Sequence, residues 1–367
     1  MTDVVSEFYG EAELRWYQVA ARNAVADALN AGESRVLVVL PTGAGKTLTV
    51  AAAMSHQPIR EALGVSCDRP LRVLFAAHKT RLLSQAEQTF MEESNVELVT
   101  LSMFSDIPPD VLTKGWDIAI LDEAHHESCM SFQLQLEQIG DRPVLGITAT
   151  PDRADGCVIK FSTIINPISR EQAVREGYLA ETELNTFVDV PSVDKTPILT
   201  DILRSYIDQM SQTMIFVRTK AEVRALANVI NDMGKVAVAI LNQSDKELDA
   251  VLDQFSAGEV QFIINCNKIS EGVDVKGCTD VVLGRQVGSY PMLNQIIGRA
   301  ARPDSECRVW ELVNPLSGTN LDTTVVTGTP ASHRLISKVG GVWKERQFDY
   351  TTHANPIAPQ LRMGMVR

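Results

Sequence analysis

The sequence predicts an α/β protein built as two tandem lobes, each a mostly parallel sheet flanked by helices. Three observations carry that expectation. Short, nearly unbroken apolar runs recur at intervals that leave room for an intervening helix, which is how strands buried on both faces read. The chain's 367 residues, 45% of them apolar, exceed one typical domain. Midway, the pattern loosens into a segment of mixed polarity with two prolines, Pro191 and Pro197.

In the first half the apolar runs are 36–40, 71–77, 96–101, 118–121 and 144–148; in the second they are 214–217, 236–240, 262–265, 281–283 and 309–313. The expected organisation is lobe 1 over 1–185, a linker over 186–199, lobe 2 over 200–315 and a C-terminal extension over 316–367, where periodicity fades. No internal repeat of fixed period is present.

Composition excludes several classes. No run reaches the roughly 20 apolar residues of a membrane span. The first ten residues lack a basic start followed by an apolar core, so a cytoplasmic location is expected. Six scattered cysteines without a Cys-x-x-Cys pair argue against a disulfide framework or zinc site; only His125 and Cys129 have the i, i+4 spacing of two metal ligands on one helix face. The formal charge is -12, and residues 1–185 hold 15 Lys/Arg against 26 Asp/Glu, or -11. Nucleic acid would therefore be held on a local track rather than by bulk charge.

The chemistry begins after run 36–40, where Pro41-Thr42-Gly43-Ala44-Gly45-Lys46-Thr47 leads into a helix-forming stretch. Glycines let the backbone wrap phosphates, amides at the helix start face the anion, Lys46 offsets β/γ charge, and the Thr47 hydroxyl suits Mg²⁺. Position 40, where the general pattern has glycine, is Leu40.

Asp122-Glu123 ends run 118–121. A carboxylate at the carboxyl end of a strand beside the phosphate-loop strand suits Mg²⁺, and its neighbour Glu123 suits orienting or deprotonating a water. Ser289 and Pro291 read as a helix start. On that helix Gln295, Arg299 and Arg302 are expected to share a face, with Gly298 in the interior. Arginines supplied from a second lobe to a γ-phosphoryl are worth about 10³ to 10⁵ in turnover. Near the start, the Gln18 amide has the donor and acceptor needed to read adenine.

Together these residues resemble the superfamily 2 helicases and translocases of the DEAH/DExH branch, over residues 12–315. Arg15 and Gln18 resemble the adenine-reading motif, and 77–85, with Lys79 and Arg81, the Ia segment. Thr148-Ala149-Thr150 resembles the coupling motif III, Phe216-Val217-Arg218-Thr219-Lys220 motif IV, and Ser270-Glu271-Gly272-Val273-Asp274-Val275 motif V. Segment 145–156 is similar to compact DNA motors related to type III restriction subunits and to phage and repair branch-migration helicases.

The resemblance implies two RecA-like lobes with ATP and Mg²⁺ between them. Lys79, Arg81, Thr100, Arg218 and Lys220 are then phosphate contacts, and Thr148, Thr150, Gly272 and Asp274 couple nucleotide state to the strand. The implied activity is ATP-dependent movement along, or remodelling of, single-stranded or branched DNA. Rival readings are an ATP-gated clamp, a motor subunit of a larger nuclease or remodelling complex, and an RNA helicase. In the tail, Trp343, Lys344, Arg346, Phe348 and Tyr350 interleave aromatic and basic residues; packing of these aromatics onto lobe 2 is expected over a stacking surface.

Overall fold

A computed structural model describes residues 7–78, 80–91, 95–103, 105–124, 130–149, 160–188, 194–266, 269, 275–303, 305–314 and 321–348. Lys79, His125, Cys129, Thr150, Gly272, Asp274 and Tyr350 lie outside the described residues. The chain divides into two compact units that part between Glu176 and Gly177.

In chain order the first unit holds β1 (Phe8–Tyr9), β2 (Ala12–Glu13), α1 (Trp16–Asn30), β3 (Arg35–Val39), α2 (Lys46–Met54), α3 (Gln57–Ala62) and β4 (Leu71–Ala77). It continues through α4 (Thr80–Phe90), β5 (Val96–Ser102), α5 (Pro109–Lys114), β6 (Ile118–Asp122), α6 (Met130–Ile139), β7 (Val144–Thr148), β8 (Thr163–Ile165) and α7 (Arg170–Arg175). Six strands form one parallel sheet in the order β5-β4-β6-β7-β3-β8. β7 therefore stands between β3 and β6, which corrects the expectation that the Asp122 strand adjoins the phosphate-loop strand.

The apolar runs of β3, β4, β6 and β7 are buried because helices cover both faces of a parallel sheet. One face packs Leu37, Leu74, Leu121 and Trp116 with Phe161. Phe161 sets a limit on β7: a Cβ at Gly146 would lie 2.5 Å from the Phe161 ring and 2.8 Å from a Leu37 methyl. Arg60 on α3 is fully buried and carries no carboxylate; it donates instead to the carbonyls of Ser66, Arg69 and Asn95, tying the loop before β4 to the start of β5. That is a structural arginine.

The second unit holds β9 (Thr182–Val188), α8 (Thr196–Tyr206), β10 (Thr213–Phe216), α9 (Lys220–Asp232), β11 (Ala237–Ile240) and α10 (Asp245–Ser256). It continues through β12 (Phe262–Asn265), β13 (Asp280–Leu283), α11 (Tyr290–Ile297), β14 (Cys307–Val313), α12 (Thr324–Thr327), β15 (Ser332–Val339) and β16 (Val342–Gln347). Its sheet runs β11-β12-β10-β13-β14-β9-β15-β16, parallel except for the closing β15–β16 hairpin.

Several boundaries differ from expectation: residues 177–185, assigned to lobe 1, fall in the second unit. Residues 186–188, assigned to a linker, belong to β9, an inner strand between β14 and β15. Its polar residues are buried with partners: Thr186 Oγ1 donates to Glu311 at 2.6 Å, and Asn185 Oδ1 accepts from Arg334 Nε at 2.6 Å. Pro197, read as a linker residue, sits in the first turn of α8, where a missing N–H costs nothing. Likewise 321–348 is no appendage, since β15 and β16 extend the sheet.

An aromatic core of Phe187, Tyr206 and Trp310 packs against α8, with the Phe187 and Trp310 rings stacked at 6.3 Å. Beneath it Asp280, fully buried, accepts from Trp310 Nε1 at 2.8 Å, Arg308 Nη2 at 2.9 Å and Ser211 N at 3.1 Å. A buried carboxylate so fully partnered holds the β13–β14 junction, and removing it would deprive three donors of their acceptor.

Gly146→Ala should force a shift in Phe161 and destabilise the first unit by about 1–3 kcal/mol. Gly288→Ala, where an added Cβ meets nothing within 4 Å, should stay within about 0.5 kcal/mol. Urea denaturation midpoints of the two variants check this; equal midpoints would refute the close-approach argument.

Candidate functional site

The loop after β3 is built to receive an anion. Gly43 and Gly45 take φ of +89° and +79°, in the left-handed region that side chains avoid. Gly45 is the N-cap of α2 and supplies no side-chain cap, so the first N–H groups of α2 point out unmatched by any cap. Lys46 and Thr47 open that helix. The Thr42 Oγ1 is buried without a hydrogen-bond partner.

Beneath the loop, α1 acts as a brace. Tyr17 Oη donates to the Ala44 carbonyl at 3.0 Å and accepts from Arg15 Nη1 at 3.0 Å. Gln18 Oε1 accepts from the Arg15 backbone N at 2.9 Å, closing the start of α1, while its Nε2 lies 3.5 Å from the Ala44 carbonyl. A Cβ at Gly45 would come 2.7 Å from that nitrogen. Arg15 and Gln18 thus sit against the phosphate loop, as does Tyr17, which sequence reasoning passed over. Its signal was its place between the two residues that were chosen.

Across β7, the carboxyl end of β6 presents Asp122, 6% exposed. Burial first, and then the charge of Glu123, raise its carboxyl to about 7, against the opposing pull of Lys46, the Glu123 N–H at 2.9 Å and His78. Asp122 therefore lies within electrostatic reach of the phosphate-loop lysine. Glu123 has φ +51°, the single non-glycine positive φ among the described residues. Strain of this kind costs on the order of 1–3 kcal/mol and persists where the surroundings enforce it. Thr148 closes β7, fully buried, and its carbonyl accepts from Leu40 N at 3.0 Å, linking the intervening strand to the loop.

These residues fit a nucleoside triphosphate with a divalent cation. The positive-φ glycines, the uncapped helix start, the orphaned Thr42 hydroxyl and a single adjacent carboxylate match a cation that draws its other ligands from phosphate and water. Among the described residues no cluster of three or more His, Cys, Asp or Glu is placed to cage a metal.

The second unit carries the other predicted site residues. Gln295 lies on α11, whose Ser289 cap accepts from Met292 N and whose first turn holds Pro291, as expected. α11 ends at Ile297, however, and Gly298 is its C-cap. Arg299 and Arg302 follow in a turn fastened by Ser305 Oγ to the carbonyls of Ala300 and Arg302, so the shared helical face and the interior Gly298 do not hold. Once the ladder stops, i+4 and i+7 spacing no longer fixes direction. Gln295 is 6% exposed with its Oε1 unpartnered, and both arginines are half-buried.

Of the proposed strand contacts, Arg218 and Lys220 flank Thr219, the N-cap of α9, where Glu222 accepts from the N–H groups of Arg218 and Thr219 at 2.9 Å. Lys220 Nζ donates to Asn242 at 2.5 Å. Arg81 lies on α4. Thr100 sits within β5, and its hydroxyl is committed to the Glu87 carboxylate at 2.6 Å, which places an anion where a phosphate was expected.

Two family models match in order along the chain. The one described as "Type III restriction enzyme, res subunit" covers residues 11–107, and "Helicase conserved C-terminal domain" covers 194–304. The Saccharomyces cerevisiae protein IRC3, described as an ATP-dependent helicase, is 24% identical over 353 residues, 82% of this chain and 51% of its own. The "DNA 3'-5' translocase XPB2" of Sulfurisphaera tokodaii is 22% identical over 371 residues, 82% of this chain and 81% of its own. A solved fragment of an HsdR subunit of a type I restriction enzyme from Vibrio vulnificus shares the fold at a TM-score of 0.70 and 20% identity, covering 90% of this chain and 70% of that one. The chain spans about half the length of IRC3. Both matched regions, in their order, and these relatives agree in likening the chain to superfamily 2 helicases related to restriction-enzyme subunits.

Proposed function

We propose that the chain is an ATP-hydrolysing motor that moves along or remodels DNA. The observation that carries this reading is the grouping, at the carboxyl ends of β3, β7 and β6, of Lys46 and Thr47, Thr148, and Asp122 with Glu123. In an open parallel sheet this edge is where ligands bind.

On this reading the first N–H groups of α2 and the Lys46 ammonium hold the β- and γ-phosphates, and Gly43 and Gly45 keep side chains out of their way. Thr47 Oγ1 and an Asp122 oxygen would hold Mg²⁺. A cation held there would supply charge neutralisation to the phosphates. Glu123, fixed in its left-handed turn beside Asp122, orients the attacking water and takes its proton on a carboxylate oxygen. Arg299 and Arg302 donate to the γ-phosphoryl oxygens, and Arg15 and Gln18 brace the loop and face the adenine.

A second reading, a motor portion within a larger machine, is favoured by the share of its relatives that the chain spans, 51% of IRC3 and 44% of an Escherichia coli type I restriction subunit.

ATP hydrolysis measured without nucleic acid and with single-stranded DNA, forked DNA and RNA tests the proposal, DNA giving the largest stimulation. Lys46→Ala should abolish turnover, and Arg299→Ala should leave ATP binding near wild type while turnover falls about 10³-fold or more. Normal hydrolysis in either variant would overturn its assigned role.

The Asp122 carboxyl adds a pH signature. Raised to about 7, it keeps its proton in the folded protein between about pH 4 and pH 7, while the unfolded chain has released it, so its contribution to stability falls as pH climbs through that window. In metal-free buffer the melting temperature of wild type relative to Asp122→Asn should therefore drop from pH 5 to pH 8, and Mg²⁺ should reverse part of the drop. A difference that stays flat with pH would contradict the burial of an unneutralised carboxylate.

A further inference from the structure

The C-terminal hairpin sorts its charges by face. β15 and β16 turn at Gly340-Gly341 and pair with Lys338 opposite Trp343, Ser337 opposite Lys344 and Leu335 opposite Arg346. Side chains alternate along a strand, so Trp343 and Glu345 share one face while Lys344 and Arg346 share the other. The first face packs inward. Trp343 meets Phe187 edge-on at 5.4 Å and joins the core of the second unit, as the packing expectation for the tail had it. Glu345 accepts from Arg334 Nη1 at 3.3 Å, and Lys338 pairs with Asp201.

The hairpin's single acid is thus neutralised on the inner face. On the outer face Lys344 and Arg346 are exposed and pair with no carboxylate among the described residues. They stand two positions apart, about 7 Å along the strand. At the turn the cross-strand pair Val339 and Val342 is 52% and 64% exposed. Residues 332–348 hold Arg334, Lys338, Lys344 and Arg346 against Glu345, in a chain of net charge -12.

We propose that this outer face is a contact for the phosphate backbone of nucleic acid, separate from the residues the family motifs supply. Two unpaired cations in line along a strand match successive phosphates, and the exposed valines offer apolar surface to sugars and bases. The chain's own remaining tail is a poor match in charge, since 349–367 holds Asp349 against Arg362 and Arg367. The inference rests on the reading of the chain as a nucleic-acid motor.

The test compares the full chain with its Lys344→Gln/Arg346→Gln double variant, using fluorescence anisotropy of labelled single-stranded and duplex DNA across a salt series without nucleotide. The slope of log affinity on log salt should shrink by about 1.4 on the single strand and about 1.8 on the duplex. An Arg224→Gln/Lys246→Gln control removes as much charge from exposed helix surface, Lys246 sitting among the acids of α10, and should leave the slope unchanged. Hydrolysis of ATP without nucleic acid should match wild type in the double variant. Equal slopes for double variant and wild type would overturn the hairpin contact and leave the motor reading standing. Absence of any DNA binding by wild type would overturn both. Loss of a salt-sensitive dimer in the double variant with DNA binding intact, read by light scattering, would assign the face to a second copy of the chain and overturn the proposal.

Discussion

The spacing of three parallel strands governs the first unit. β7 holds β3 and β6 one strand apart, so the loop that follows β3 and the carboxylates that end β6 face the same edge with Thr148 between them. Across that spacing the Lys46 ammonium still pulls the Asp122 carboxyl down, against burial and the Glu123 charge, which raise it. Gly146 makes the spacing possible by letting Phe161 and Leu37 press onto β7, and Leu40 N fastens the strand to the loop. Packing far below the site therefore decides whether its charges meet.

The loop itself is held by polar contacts. Tyr17 and Gln18 grip the Ala44 carbonyl from α1, and Arg15 is tied to both. That brace leaves the N–H groups of α2 free to meet an anion rather than collapse onto neighbouring side chains. A carboxylate kept at a raised pKa and a glutamate kept at φ +51° are both costly to the fold.

Much of this was legible in the residues. Strands buried on both faces announce themselves as apolar runs, and the phosphate loop and Asp122-Glu123 stand out because their chemistry needs fixed spacing. What escaped has a physical cause in each case. β9 hid because Thr182, Asn185 and Thr186 are polar yet buried, each with a partner supplied from β14 or β15 that lies more than a hundred residues away. β15 and β16 hid because one of their faces stays in water. The end of α11 at Ile297 was missed because the run of apolar residues and arginines continues past it, while Gly298 and Ser305 stop the ladder. The order of β3, β7 and β6 follows from long-range pairing that local pattern does not encode.

The central claim is that hydrolysis at this loop drives motion along DNA. A triplex-displacement assay tests it most directly: the full chain is loaded beside a third strand on duplex DNA and release of that strand is followed with ATP and with a non-hydrolysable analogue. Release with ATP alone is the predicted result. Hydrolysis stimulated by DNA with no release beyond the analogue would contradict a motor and leave a nucleotide-gated clamp.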